Sequence, residues 1–383
     1  MKLLKKTILF SLTAMSCSLA LASDITIGVT ISATGPGAAL GGPQKSTTEL
    51  FPKSVAGKKI NWIVLDDTTD PTVASRNVSK FINENKADVI IGSSTTANTA
   101  SFIDTIVASK TPVMALAPLE LPPEKDHWVF KMPQNNNIMG QALVEHMTAT
   151  GVKSLGIIAF GDIYGDLWIK AMTPMLEAAG IKLSAIERYN RTDTSVVGQT
   201  LKLLGAKPDA VLVAGGGTPA ALPHVTLVER GYKGQIYQTH GAPSSAFLRV
   251  GGSNVEGGIF VAGPLLAHDQ LPDSAPTKKT IVNYVTAYEE KFGPGSLSSF
   301  GGHMWDAWAV LEQALPKALD KATPGTEQFR VALRDALEAS KDVVGVHGIY
   351  NMSPEDHFGH DERSRVLLRA ENGTFKLLPA TNK

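Results

Sequence analysis

Short apolar runs rich in β-branched residues recur along the chain, with helically spaced stretches between most of them, and this alternation constrains the fold more than any other feature. The runs are ITIGVTIS, INWIVLDD, ADVIIG, PVMALA, SLGIIAF, DAVLVAG, QIYQT and GIFVAG. Between them lie segments such as TVASRNVSKFINENK and DLWIKAMTPMLEAAG, whose apolar residues return with helical period. Strand, helix, strand in repetition predicts βαβ units and a parallel sheet. Runs that are apolar at every position, rather than at alternate ones, belong to strands covered on both faces. The predicted class is α/β, with two doubly wound parallel-sheet lobes. The first series of strands ends near residue 137 and the second runs from SLGIIAF to about 263.

A connection with Pro and Gly, GPLLAHDQLPDSAP, then leads into helical patterns near 276 to 292 and 301 to 319. In the second of these, HMWDAWAVLEQAL places Trp305, Trp308, Leu311 and Leu315 on one stripe, which predicts a core face. The tail turns back to strands in GIYNM, RSRVLLRAE and TFKLLPA. Strands after helices predict that the chain re-enters a lobe it has left, so that several crossings join the two.

Hydrophobic residues make up 43% of the chain and charged residues 19%, enough apolar material for two cores. Lys and Arg number 36 and Asp and Glu 36, so no basic excess points to a nucleic-acid partner. Residues 1–22 carry Lys2, Lys5 and Lys6, then the apolar ILFSLTAM, then ALA before Ser23. This is the order of an export signal, with cleavage expected after Ala22 and a periplasmic product. A competing cut at a lipid-bearing Cys17 is disfavoured, because Ala14 stands where such signals carry Leu. Cys17 is the single cysteine, so neither a disulfide framework nor a thiol nucleophile is expected in the exported part. No later apolar run reaches the roughly 20 residues of a membrane helix.

The stretch ADVIIGSSTTANTASFI raises the sharpest chemical question. Its strand is expected to end at Gly92 and its helix to start near Thr96, which puts Ser93, Ser94, Thr95 and Thr96 at a helix N-terminus beyond the carboxyl end of a parallel strand. Open α/β sheets place ligands there, and unpaired N–H groups favour an anion. Simple N-capping is the plainer reading, although a single hydroxyl suffices for a cap. Catalytic signatures are absent: there is no G-x-S-x-G elbow, phosphate loop or dinucleotide fingerprint, so neither an enzyme nor a cofactor is expected. TGPGAALGG is expected to be a turn that shapes a cleft. HFGHDE, with His357 and His360, is expected to be a solvated loop rather than a metal site. In DDTTDP, Asp70 is expected to cap the following helix.

Taken in order, IGVTISATGPGAALG, LDDTTDPTVA, VIIGSSTTANTAS with TPVMALAP, IIAFGDIYGDLW, DAVLVAGGGTPA and YQTHGAPSSAFL resemble the periplasmic solute-binding proteins of ABC importers, in the branch of the leucine/isoleucine/valine-binding proteins. The resemblance implies two lobes joined by three crossings, with residues 23–137 and 264–344 in lobe 1 and residues 138–263 and 345–383 in lobe 2. It implies a small solute held between them, delivery to a permease in the inner membrane, and a monomer. In that family a hydroxyl at the helix after the third strand holds the ligand carboxylate, a position that falls on Thr96 with Ser94 and Thr95 beside it. Ala117 and Leu119 follow in the next segment, and Tyr164 matches the tyrosine that closes from the second lobe.

Departures from the family pattern bear on the ligand. His240 stands where amino-acid binders carry a carboxylate for the ligand ammonium, and Leu119 stands at a threonine that is its second partner. Gly217 replaces an expected tyrosine and Leu40 an expected aromatic. A buried ammonium without acceptors costs on the order of several kcal/mol, so the expected ligand is a carboxylic acid without an α-amine, an aromatic acid above others. Gly217 is expected to leave room for it and Leu40, Leu119 and Phe300 to wall it, with His240 serving a second polar group. A conventional amino-acid binder and an extracellular ligand sensor remain as alternatives.

Overall fold

The structure is a computed structural model and describes residues 24–379. The expected signal segment, with Cys17 and Ala22, lies outside the described residues. The first sheet contains β1 (Ile25–Ile31), β2 (Ser54–Val55), β3 (Lys58–Asp66), β4 (Val89–Gly92), β5 (Val113–Ala115) and β6 (Val129–Lys131), in the order β2-β3-β1-β4-β5-β6. All pairs are parallel except β2 with β3; Ile27 sits between Trp62 on one side and Val89 on the other. Helix Pro71–Asn83 covers one face, and Asp70 caps it by accepting from the N–H groups of Thr72 and Val73. It lies so close that a Cβ on Gly28 would stand 2.6 Å from the Phe81 ring.

The second sheet contains β7 (Ser154–Phe160), β8 (Lys182–Tyr189), β9 (Ala210–Ala214), β10 (Gln235–Gln238) and β11 (Ile259–Ala262). A two-stranded ribbon of β12 (Val343–Val344) and β13 (Ile349–Tyr350) follows late in the chain, and then β14 (Val366–Glu371) and β15 (Thr374–Leu377) return to the second sheet, where β14 runs antiparallel to β11. The full order is β15-β14-β11-β10-β9-β7-β8. β8 is the one long strand that the apolar runs do not announce. It is an edge strand in which Lys182, Glu187 and Arg188 interrupt the apolar residues, so its pattern is broken by charge.

Two clusters cover the faces of the first sheet. Val78, Phe81, Phe102 and Ile106 fill one. On the other, Ile25, Ile27, Val29 and Ile31 of β1 meet Trp308, Leu311 and Leu315 of helix Ser299–Leu319. The helices that follow the second sheet therefore complete the first lobe. Removing such faces from water, at about 25 cal/mol per Å² of apolar surface, does most to hold this arrangement together. Trp305, at the edge of that stripe, is only partly buried and lies 5.1 Å from Tyr284.

Three crossings join the lobes and pack side by side. A Cβ on Gly263, in the second crossing, would stand 2.2 Å from His347 Nδ1 and 2.8 Å from Gln134 Nε2 of the first. The Tyr350 hydroxyl donates to Met132 O at 2.9 Å. Val343, Tyr350 and Met352 still belong to the first-lobe cluster, whereas Val366 begins the strand in the second sheet. The third crossing thus lies between 352 and 366, later than the expected boundary at 344/345. HFGHDE is part of it and is not a solvated loop. His357 and His360 are buried, with His357 Nδ1 on Asp126 O at 3.0 Å and His360 Nε2 donating to Met132 O at 3.0 Å. His357 thus ties this crossing to first-lobe elements, including Glu338 at 3.2 Å, and His360 ties it to the first crossing; no group of residues suited to a metal occurs among the described residues. No helix among them is long and apolar enough to cross a membrane.

Candidate functional site

The polar junction after β4 is built where two parallel strands end together. Gly92 has φ 130°, and a Cβ there would stand 2.0 Å from Thr30 O, so only glycine lets the chain leave the sheet at this point. Ser93, Ser94, Thr95 and Thr96 follow, all buried. Asp67, fully buried just past the end of β3 and so on the far side of β1 from β4, receives the Ser93 hydroxyl at 2.5 Å, the Ser32 hydroxyl at 2.7 Å and Asn98 Nδ2 at 2.8 Å. Ser94 donates to Gln44 Oε1 at 2.5 Å and accepts from Ser32 N–H at 2.9 Å. Thr95 caps the helix Thr96–Ala100 by accepting from Asn98 N–H.

Three of the four hydroxyls therefore hold the junction in shape. The Thr96 hydroxyl is engaged too, donating to Pro118 O at 3.1 Å in the same cleft wall. By helix geometry the Thr96 and Ala97 N–H groups have no acceptor within the helix. Five residues add little macrodipole, so these individual donors, rather than the dipole, are what the junction offers an anion.

From the second lobe come Tyr164, Arg191, Gly216, His240 and Gly241. Asp162 caps the helix Ile163–Ala178 through Tyr164 N–H and Gly165 N–H, which fixes the tyrosine on its first turn. Thr239 donates to Gly215 O at 2.9 Å, so the Tyr164 hydroxyl, 2.8 Å away, is the donor to Thr239 Oγ1. Burial pushes that phenol up to about 12. Arg191 lies 4.0 Å over the Phe160 ring and gives its Nε–H to Asp162 at 2.8 Å. His240 sits 5.5 Å from the Trp168 ring, and desolvation pushes it down to about 3, so it is neutral.

First-lobe residues complete the space: Leu40, Leu116, Ala117 and Pro118, then Phe300 and His303 near the start of helix Ser299–Leu319. Pro133, from the first crossing, closes the back. Leu40 stands on helix Ala38–Thr48, so TGPGAALGG is a turn only as far as Gly37 and a helix from Ala38. Arg191 is the one cation among the described lining residues, and none of them is acidic.

Of the residues singled out in sequence, Leu40, Ser94, Thr95, Thr96, Ala117, Tyr164, His240 and Phe300 come together at this cleft. Leu119 and Gly217 do not line it. Leu119 is not a wall, because it is buried in the apolar cluster of Phe102 and Trp128 beneath the sheet. Gly217 does not open space for a ligand, because Leu40 takes that space: a Cβ on Gly217 would stand 2.8 Å from Leu40 Cδ1. Sequence reasoning misses Arg191 and His303. Arg191 sits in NRTDT, which reads as any charged surface turn, and His303 merely precedes the Trp stripe. Only the folding of both onto one space distinguishes them.

Two doubly wound lobes, joined by three crossings around a cleft at their strand ends, define the type I periplasmic-binding-protein fold. A family model described as periplasmic binding protein matches residues 24–366, and the chain belongs to that family. Among its structural neighbours are leucine- and branched-chain amino-acid-binding proteins. An extracellular ligand-binding receptor from Rhodopseudomonas palustris is 47% identical with a TM-score of 0.91, the match covering 93% of this chain and 99% of that one. A leucine-binding protein from Thermotoga maritima shares the fold at 20% identity and TM-score 0.76, over 93% and 98% of the two chains. An ABC-transporter solute-binding protein from Rhodopseudomonas palustris, solved in complex with benzoate, does so at 17% and 0.76, over 94% and 96%. No curated protein matches the chain.

Proposed function

We propose that the protein is the periplasmic substrate-binding component of an ABC importer, which closes as a monomer over a small organic acid without an α-amine and hands it to a permease in the inner membrane. An aromatic carboxylate is the ligand class that suits the cleft best. The observation that carries this reading is the charge of the lining: one guanidinium, Arg191, and no carboxylate. The acid's charge is received by Arg191 from the second lobe and by the Thr96 and Ala97 N–H groups from the first, with the Thr96 hydroxyl turning from Pro118 O to the carboxylate as it binds. Contacts from both lobes are what make the closed form the tighter binder. Leu40, Leu116 and Phe300 offer flat apolar walls to a ring.

An amino acid would bring an ammonium into this space with no acidic oxygen to meet it. The fold does not choose between the two ligand classes, since one structural neighbour is named for leucine and another was solved with benzoate. No bond is made or broken in this reading. The same cleft would serve an extracellular sensor, the reading that the description of the 47% identical relative as a receptor favours.

A thermal-shift screen of amino acids against aromatic, keto and dicarboxylic acids tests the ligand class. A ligand at 100 times its dissociation constant adds about 2.7 kcal/mol of stability. Stabilisation by leucine or phenylalanine alone, with none from any simple acid, would refute it.

A further inference from the structure

Two imidazoles reach the cleft from opposite lobes with nitrogens that nothing in the protein satisfies. His240 follows β10 in the second lobe, is 4% exposed, and has no hydrogen-bond partner at Nδ1 or Nε2. His303, on helix Ser299–Leu319 of the first lobe, is 3% exposed, and its Nδ1 has none. Buried polar atoms are nearly always paired, and leaving them unpaired is unfavourable. Two such rings lining one space point to a ligand group that completes them.

We propose that the end of the ligand away from its carboxylate carries a neutral hydroxyl or carbonyl group, and that His240 and His303 hold it from the two lobes when the cleft closes. This rests on the organic-acid reading above and narrows it. The surroundings argue for a neutral group. Around His240 stand Tyr164, Trp168 and His347, and around His303 stand His347, His360 and, one turn along the same helix, Asp306. The Asp306 carboxyl already accepts from the N–H groups of Val346 and His347 and lies 3.0 Å from the Tyr350 hydroxyl. Arg191, the one cation in the lining, is engaged by Asp162 and is needed by the ligand's carboxylate. A second carboxylate would therefore find no positive partner. Burial keeps both imidazoles unprotonated, each with one N–H donor and one acceptor, which matches a hydroxyl on both counts and a carbonyl on one.

The test is calorimetric titration of the full exported protein with two matched pairs, benzoate against 4-hydroxybenzoate and 3-phenylpropanoate against 3-(4-hydroxyphenyl)propanoate. Terephthalate is the dicarboxylate control. The expected result is that in at least one pair the hydroxylated acid binds tenfold or more tighter than its partner, and tighter than terephthalate. His240→Phe and His303→Phe each reduce the affinity ratio within that pair to below threefold, whatever either does to the binding of the unsubstituted acid. Melting of the apo variants shows that they fold, and the matched pairs in the unaltered protein carry the test should either variant fail. Equal affinity within both pairs, tighter binding of terephthalate, or a preference that survives both substitutions overturns the inference and leaves the organic-acid reading standing. Binding of leucine with none of the five acids overturns that reading as well.

Discussion

At the scale of single residues, sequence position and chemical duty separate cleanly in the junction after β4. Ser93, Ser94, Thr95 and Thr96 are equivalent in sequence, yet three of them are consumed in holding Asp67, Gln44 and a helix start. Thr96 holds its hydroxyl at the cleft wall on Pro118 O. Thr96→Ala should weaken binding of the acid about tenfold, which is about 1.4 kcal/mol, with little change in apo melting; isothermal titration checks it, and full affinity would remove Thr96 from the site. Arg191→Met should be more damaging, a hundredfold or so, because it deletes the one cation opposite the anion. Its partner Asp162 keeps its capping bonds to Tyr164 and Gly165, so the fold should persist, as circular dichroism would show.

At the scale of elements, what matters is which end of a helix or strand is turned to the cleft. Helix Ser299–Leu319 contributes Trp308, Leu311 and Leu315 to the core over most of its length, and presents Phe300 and His303 to the cleft near its start. Ser298 caps the first turn by accepting from Phe300 N–H at 3.2 Å. Ser298→Ala should cost about 1 kcal/mol of stability and also loosen the two cleft side chains. Urea unfolding and ligand titration on the same variant should move together; a stability loss with unchanged affinity would show that the first turn does not depend on its cap. Gly217 belongs to this scale too. It has φ 63° and seats Leu40 of helix Ala38–Thr48 across the lobes. Gly217→Val should hold the lobes apart, seen as a larger radius of gyration by X-ray scattering at saturating ligand than the parent protein shows.

At the scale of the whole molecule, the crossings, the cleft and the second lobe between them bury a set of imidazoles. Desolvation holds His224, His347 and His360 at about 4 and His240 at about 3, and puts His303 well below its usual value. In the unfolded chain all five would titrate near 6.5. Unfolding between pH 6.5 and 4 therefore takes up protons, so their contribution is complete above 6.5 and is lost as the pH falls. Asp88 and Asp306 act in the opposite sense, since burial raises them to about 6 and about 7 and the folded chain keeps protons that the unfolded chain gives up. Five groups outweigh two, and the melting temperature should fall steadily from pH 7 to pH 5. A flat or rising melting temperature over that range would contradict it. The same molecule shows how far the sequence reaches. The two-lobed α/β class, the core stripe of Trp308, Leu311 and Leu315, and the Asp70 cap are legible because periodicity and capping are local properties, written within one turn or one strand. The places of Leu119, Gly217, Arg191, His303 and the buried His357 and His360 are not, because each acquires its role from residues far away in the chain: a core cluster, a leucine of the other lobe, a shared cleft, a neighbouring crossing. Sequence by itself determined most of the segments that become strands and helices, β8 and the start of helix Ala38–Thr48 excepted. Only the tertiary structure decided which side chains meet at the cleft, since that depends on how two separately built sheets are brought face to face.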